Sequence, residues 1–159
     1  MKVLIISDTH GRHDYLEEIL EREKPLDLLI HLGDAEGAED YIEMMAECPV
    51  EVVAGNNDFY TTLPNELVIE IGEYKALLTH GHYYYVNGGI SHLQRAVFER
   101  GIDIAMFGHT HRPFFEEEDD VIILNPGSIS YPRQEGKKPS YMIMNVDEEG
   151  EAHFSLCYL

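Results

Sequence analysis

Tryptophan is absent from this chain, and cysteine occurs only twice. Cys48 and Cys157 stand far apart with no C-x-x-C spacing, so neither a disulfide framework nor a thiolate zinc site is expected, and both read as small buried hydrophobes. Basic residues are scarce too, 11 against 30 acidic ones, for a formal charge of −19. That excess repels long polyanions and argues against duplex nucleic acid as a partner. No apolar run is long enough to span a bilayer, and Met1-Lys2 leads into a strand pattern rather than a signal-peptide pattern. The expectation is a cytoplasmic protein with no membrane partner. A length of 159 residues, 44% of them hydrophobic, predicts one domain over 1–159 built on one core.

Five short polar clusters are present, each directly after a run of aliphatic residues: Asp8-Thr9-His10, Gly33-Asp34, Gly55-Asn56-Asn57-Asp58, His80-Gly81-His82 and Gly108-His109-Thr110-His111. The preceding runs, Val3 to Ile6, Leu28 to Leu32, Val50 to Ala54, Ala76 to Leu78 and Ile104 to Phe107, have the length and composition of buried strands. In open α/β sheets ligands bind outside the carboxyl ends of strands, where all five clusters fall.

Between these runs, Tyr15, Leu16, Ile19 and Leu20 predict an amphipathic helix from about Asp14 to Glu23, and Tyr41, Ile42, Met44 and Met45 a second. Leu67 to Ile71, the turn Gly72-Glu73 and Lys75 to Thr79 read as a β-hairpin. Ile90, Leu93 and Val97 predict a third helix, stopped by Gly101. Val121 to Leu124, Tyr141 to Val146 and Ala152 to Tyr158 read as strands, and the acidic run Glu116 to Asp120 as a solvated turn. Together these predict two packed sheets with helices outside.

Each cluster also has a plain structural explanation. Asp8 and Asp34 could cap the helices that follow them, Asn56 could be a turn residue, and His80 could be a hydrogen-bonded core histidine, as His31 is expected to be. Their co-occurrence carries the argument. Residues two apart on an extended segment share a face, so Asp8 with His10, and His109 with His111, could each reach one ion. Oxygen and nitrogen donors without thiolates suit Mn²⁺, Fe²⁺, Ni²⁺ or Zn²⁺.

The order D-x-H, G-D, G-N-x-D, H-G-H, G-H-x-H resembles the calcineurin-like metallophosphoesterase superfamily. The chain length and the Asn125-Pro126-Gly127-Ser128 segment are similar to its small bacterial and archaeal YfcE-like phosphodiesterase branch. The resemblance implies a four-layer α/β/β/α sandwich holding two divalent metal ions, Mn²⁺ first among them. One ion would take Asp8, His10, Asp34 and His111; the other Asp34, Asn56, His80 and His109. The implied reaction is hydrolysis of a small phosphodiester, or a monoester, by a hydroxide bridging the two metals.

One position departs from that pattern. Many members place a proton-donating His after the metal-binding Asn, where this chain has Asn57, a side chain with no proton that titrates near neutral pH. His13 and His82 are the candidate substitutes; otherwise the leaving group departs with little protonation. Asp58 is expected to orient Asn57 or a ligand histidine. Arg12 and Arg133 could grip a substrate phosphate, with surface ion pairs as the alternative. Tyr83, in the run Tyr83-Tyr84-Tyr85, could stack on an aryl or base group, or else form a contact between copies in a homo-oligomer. The contrasting function is an interaction scaffold of the same fold with little or no turnover, as in the retromer subunit that shares it.

Overall fold

The computed structural model describes residues 1–159. Strands β1 (Lys2–Ile6), β2 (Leu28–His31) and β3 (Val50–Val52) run parallel, separated by helices α1 (Asp14–Glu23) and α2 (Glu39–Ala46). A hairpin follows, β4 (Glu66–Ile71) and β5 (Tyr74–Thr79), then α3 (Ser91–Arg100) and β6 (Ile104–Met106). The chain closes with β7 (Pro113–Glu118), β8 (Val121–Pro126), β9 (Ser140–Val146) and β10 (Ala152–Tyr158). Two five-stranded mixed sheets result, in the orders β10-β9-β1-β2-β3 and β4-β5-β6-β8-β7.

Alternation along the strands builds the layers. Val3 and Ile5 of β1 point between the sheets, against Ala76 and Leu78 of β5 and Ile104 and Met106 of β6, while Leu4 and Ile6 face α1 and α2. Helix α1 buries Leu16, Ile19 and Leu20, spaced to share one face, and each such burial contributes roughly 1.5–3 kcal/mol. On the other side α3 seals the second sheet with Leu93 and Val97 and ends at Gly101, whose φ of 59° suits glycine. The order is helix, sheet, sheet, helix, so the interior is three apolar layers rather than the one core expected. No helix is long and apolar enough to cross a membrane.

Two boundaries differ from expectation. Glu116, Glu117 and Glu118 belong to β7, and only Asp119-Asp120 form the turn. β7 is an edge strand, where acidic side chains reach water and deter pairing with another chain. β3 stops at Val52, two residues short of the apolar run.

Candidate metal centre

All five clusters meet at one rim, outside the carboxyl ends of β1, β2, β3, β5 and β6. The end of β8 joins them, as Ser128 Oγ donates to the Asp8 carbonyl at 2.9 Å. Asp8, His10, Asp34 and Asn56 leave one sheet, and His80, His109 and His111 leave the other.

The backbone is not extended at these ligands. Asp8, His10, Asp34, His109 and His111 have φ of 55°, 49°, 59°, 67° and 56°, in the left-handed region. The shared-face argument for Asp-x-His and His-x-His is therefore corrected: the side chains converge because tight left-handed turns aim them inward. Such strain is uncommon in non-glycine residues and gathers at functional sites. Crowding also explains two glycines. A Cβ on Gly55 would strike Asp34 Oδ1, and one on Gly108 would strike Ser7 Oγ.

Three imidazoles are tethered through Nδ1, leaving Nε2 to face the centre. His10 Nδ1 pairs with Glu36 Oε1 at 2.6 Å, His80 Nδ1 donates to the Leu32 carbonyl at 2.7 Å, and His111 Nδ1 donates to the Tyr131 carbonyl at 2.7 Å. This is how proteins fix the tautomer and direction of metal-binding histidines. The freed nitrogens surround two carboxylates. Asp8 Oδ1 lies 3.1 Å from His111 Nε2 and 3.9 Å from both His10 and His80 Nε2. Asp34 Oδ2 lies 3.5 Å from His80 Nε2 and 3.8 Å from His10 Nε2, within reach of donors from both halves. Asn56 Oδ1 sits 3.0 Å from His80 Nε2, and His109 Nε2 meets Asn87 Nδ2 at 2.8 Å.

Asp8 Oδ1 is buried and accepts no hydrogen bond, although Oδ2 takes one from Ser7 Oγ at 2.6 Å. A buried carboxylate oxygen without a partner is costly. A divalent cation would satisfy it, and the all-oxygen-and-nitrogen donor set has the right chemistry for one. Burial pushes the Asp8 carboxyl up, but His111, His80 and Ser7 more than offset it and leave it below the usual carboxylate range. His111 moves the other way: burial opposes its charge, yet the contact with Asp8 leaves it raised. Burial, reinforced by His80, lowers His109 and His82.

Asp34 is held from several sides. Its Oδ1 accepts from the Asn57 backbone at 2.8 Å and its Oδ2 from Asn57 Nδ2 at 2.7 Å. Asp58 orients neither Asn57 nor a histidine, contrary to expectation, and holds backbone groups instead. Its carboxylate accepts backbone N–H groups of Asp34, Glu36 and Gly55 at 2.7, 2.6 and 2.7 Å, so it is a brace between two loops.

His82 stands beside the centre, its ring 5.4 Å from His80 and 6.1 Å from His109, with the Tyr83 ring tilted against it at 4.1 Å. His13 instead packs against Tyr41, the rings tilted with centroids 4.1 Å apart. The Arg12 guanidinium lies 5.5 Å over the Tyr131 ring, and the Arg133 backbone donates to the His111 carbonyl at 2.9 Å. His31 is a satisfied core residue: buried, bonded to Thr9 Oγ1 and the Gly33 N–H, and lowered by burial to about 4. Sequence reasoning missed Glu36 and Asn87. Glu36 had one signal, its place two residues after Asp34; the carbonyls of Leu32 and Tyr131 had none.

The family described as the calcineurin-like phosphoesterase superfamily domain matches residues 1–149. The chain belongs to that superfamily. This calcineurin-like phosphoesterase is 36% identical over 150 residues to the probable metallophosphoesterase YsnB of Bacillus subtilis, covering 94% of the chain and 86% of YsnB. It is 30% identical over 145 residues to phosphodiesterase MJ0936 of Methanocaldococcus jannaschii, covering 80% and 83% of the two chains. A predicted phosphoesterase from Streptococcus pneumoniae superposes with a TM-score of 0.81 at 29% identity, covering 99% of this chain and 97% of that one. Vps29 of Entamoeba histolytica, complexed with zinc, gives 0.79 at 25% identity, covering 99% of each. The calcineurin-like chain is accordingly a phosphoester hydrolase.

Proposed function

We propose that this protein hydrolyses small phosphodiesters, and secondarily monoesters, with two divalent cations held at the rim. The observation that carries the reading is the buried, unpartnered Asp8 Oδ1, ringed by the Nε2 atoms of His10, His80 and His111. Asp8, His10, Asp34 and His111 would hold one cation, and Asp34, Asn56, His80 and His109 the other, with Mn²⁺ the first choice and Fe²⁺, Ni²⁺ or Zn²⁺ compatible. When bound, such a pair neutralises phosphoryl oxygens and makes water a nucleophile at neutral pH.

The chain's own residues do the rest. Glu36, Leu32 and Tyr131 keep the imidazoles aimed, and Asn57 keeps both oxygens of Asp34 in place. Asn57 has no proton to give a leaving group, which favours esters whose alkoxide or phenoxide leaves readily. His82 and Tyr83 flank the centre on the His80 side. Arg12 and Arg133 stand on the opposite side, beside His10 and His111.

Bis-p-nitrophenyl phosphate with added Mn²⁺ tests the reading. Metal-dependent nitrophenol release, lost in Asp34→Asn together with most bound metal, is expected. An interaction scaffold is the second reading, favoured by the likeness to Vps29 and by Asn57. It would bind metal and release no nitrophenol.

A further inference from the structure

The chain carries 11 basic residues against 30 acidic ones, and three of the six whose charged groups have no protein partner gather in one place. Lys2, Lys24 and Arg100 are spent on Glu23, Glu47 and Glu66. Lys75 and Arg22 donate to backbone carbonyls. Of the six without such partners, Arg133 and Lys137 line one cavity of about 660 Å³ that opens beside His10 and His111, and Arg12 leans over Tyr131 on its wall; Arg95, Arg112 and Lys138 lie outside it. The one carboxylate in that wall, Glu36, is engaged by His10 at 2.6 Å.

The backbone that carries these cations is held in place. Tyr131 accepts from His111 Nδ1 and Arg133 N–H donates to the His111 carbonyl, so the segment is bound at both ends to one candidate ligand. Lys137 N–H closes a turn onto Gln134, and Gln134 Nε2 reaches the Lys138 carbonyl at 2.5 Å, fixing the turn that brings Lys137 to the cavity wall. The adjoining flank, which shares Glu36 and runs on beyond Asn57 and Asp58, has the reverse sign. There a cavity of about 720 Å³ is lined by Glu36, Glu39, Asp40 and Glu43. The cationic wall and the anionic one meet at Glu36.

We infer that the Arg133–Lys137 cavity is an anion subsite, and that the preferred substrates are phosphodiesters carrying a second anionic group, a phosphate or carboxylate, on the part opposite the leaving group. The inference rests on the phosphodiesterase reading above. The reacting phosphate sits at the metal ligands, and the second anion pairs with the forked donors of Arg133 and the ammonium of Lys137. The acidic flank repels that anion and so sets which way round the ester binds.

The test compares three nitrophenyl esters: thymidine 5′-p-nitrophenyl phosphate, the same compound with a 3′-phosphate, and p-nitrophenyl phosphorylcholine, whose tail is cationic. The 3′-phosphorylated ester should show kcat/KM about tenfold above its parent, the scale of one charge-assisted contact. Phosphorylcholine should be the poorest. The double variant Arg133→Ala/Lys137→Ala should bring the first ratio close to one. Calorimetry adds a readout without turnover: thymidine 3′,5′-bisphosphate should bind about tenfold tighter than thymidine 5′-phosphate, and the double variant should remove the difference. Hydrolysis of all three esters with equal kcat/KM, or preference for the choline ester, overturns the subsite and leaves the phosphodiesterase reading intact. No hydrolysis of any ester, with the bisphosphate still bound more tightly, overturns that reading and leaves the subsite. Equal binding of the two nucleotides by the wild type overturns the subsite in either case.

Discussion

Asn57 grips Asp34 twice, through its backbone N–H at 2.8 Å and through Nδ2 at 2.7 Å, so both oxygens of the carboxylate central to the site are set by one neighbouring residue. A side chain unable to act as a general acid thus has a defined structural task.

Asn57→Ala is expected to weaken divalent-metal binding roughly 10- to 100-fold, the usual cost of losing a contact that orients a ligand. Calorimetric titration with Mn²⁺ measures it. Asn57→Asp should do worse, because it sets a second negative charge against Asp34. Affinity equal to the wild type in both variants would show that Asp34 needs no such guide.

Metal should stabilise the fold, because Asp8 Oδ1 gains a partner. At a free concentration about 100 times Kd the gain is about 2.7 kcal/mol, or a Tm rise of roughly 5–10 °C in a chain of this size. Differential scanning calorimetry with Mn²⁺ and then with a chelator measures it. Asp8→Asn should lose most of the rise.

Gly108→Ala places a methyl group on Ser7 Oγ and within 2.9 Å of Asp8 Oδ2. The overpacking should cost about 1–3 kcal/mol, measured by urea unfolding, and should depress phosphodiesterase activity further than the stability loss explains. Gly88→Ala, at a position where a Cβ meets nothing within 4 Å, is the control.

His31 makes stability depend on pH in a known direction. Burial lowers it from 6.5 to about 4, so between those values the unfolded chain holds a proton that the folded chain does not. Its contribution is complete above pH 6.5 and is lost as pH falls toward 4, about 3 kcal/mol in all. Urea unfolding of the metal-free protein at pH 7.5 and 4.5 should show the decline, and His31→Gln should reduce it.

The strand ends could be read from sequence because each is a run of aliphatic residues cut off by a polar cluster, and a buried strand has few other ways to stop. Ile5 and Ile6 before Asp8, or Ala105 and Met106 before His109, state this locally. What could not be read was how the ligands turn inward. An Asp-x-His written in one letter code looks the same whether its backbone is extended or, as at Asp8 and His10, left-handed, because the strain is sustained by packing from elsewhere in the chain. Asp58 shows the same limit: its partners at Asp34, Glu36 and Gly55 are backbone amides, which any residue carries. The acidic stretch after Phe115 misled for a related reason, since charge marks exposure and an edge strand is as exposed as a turn.

The division of the donors between the two sheets has a mechanical consequence. Carboxylates and carboxamide ride on one leaf and most of the imidazoles on the other, so the aliphatic filling between the leaves works as a spacer that calibrates the bite of the centre. Trimming Leu78 or Met106, in the layer between the sheets and not among the ligands, would let the jaws close or slip, and ion selectivity would change before the fold gave way.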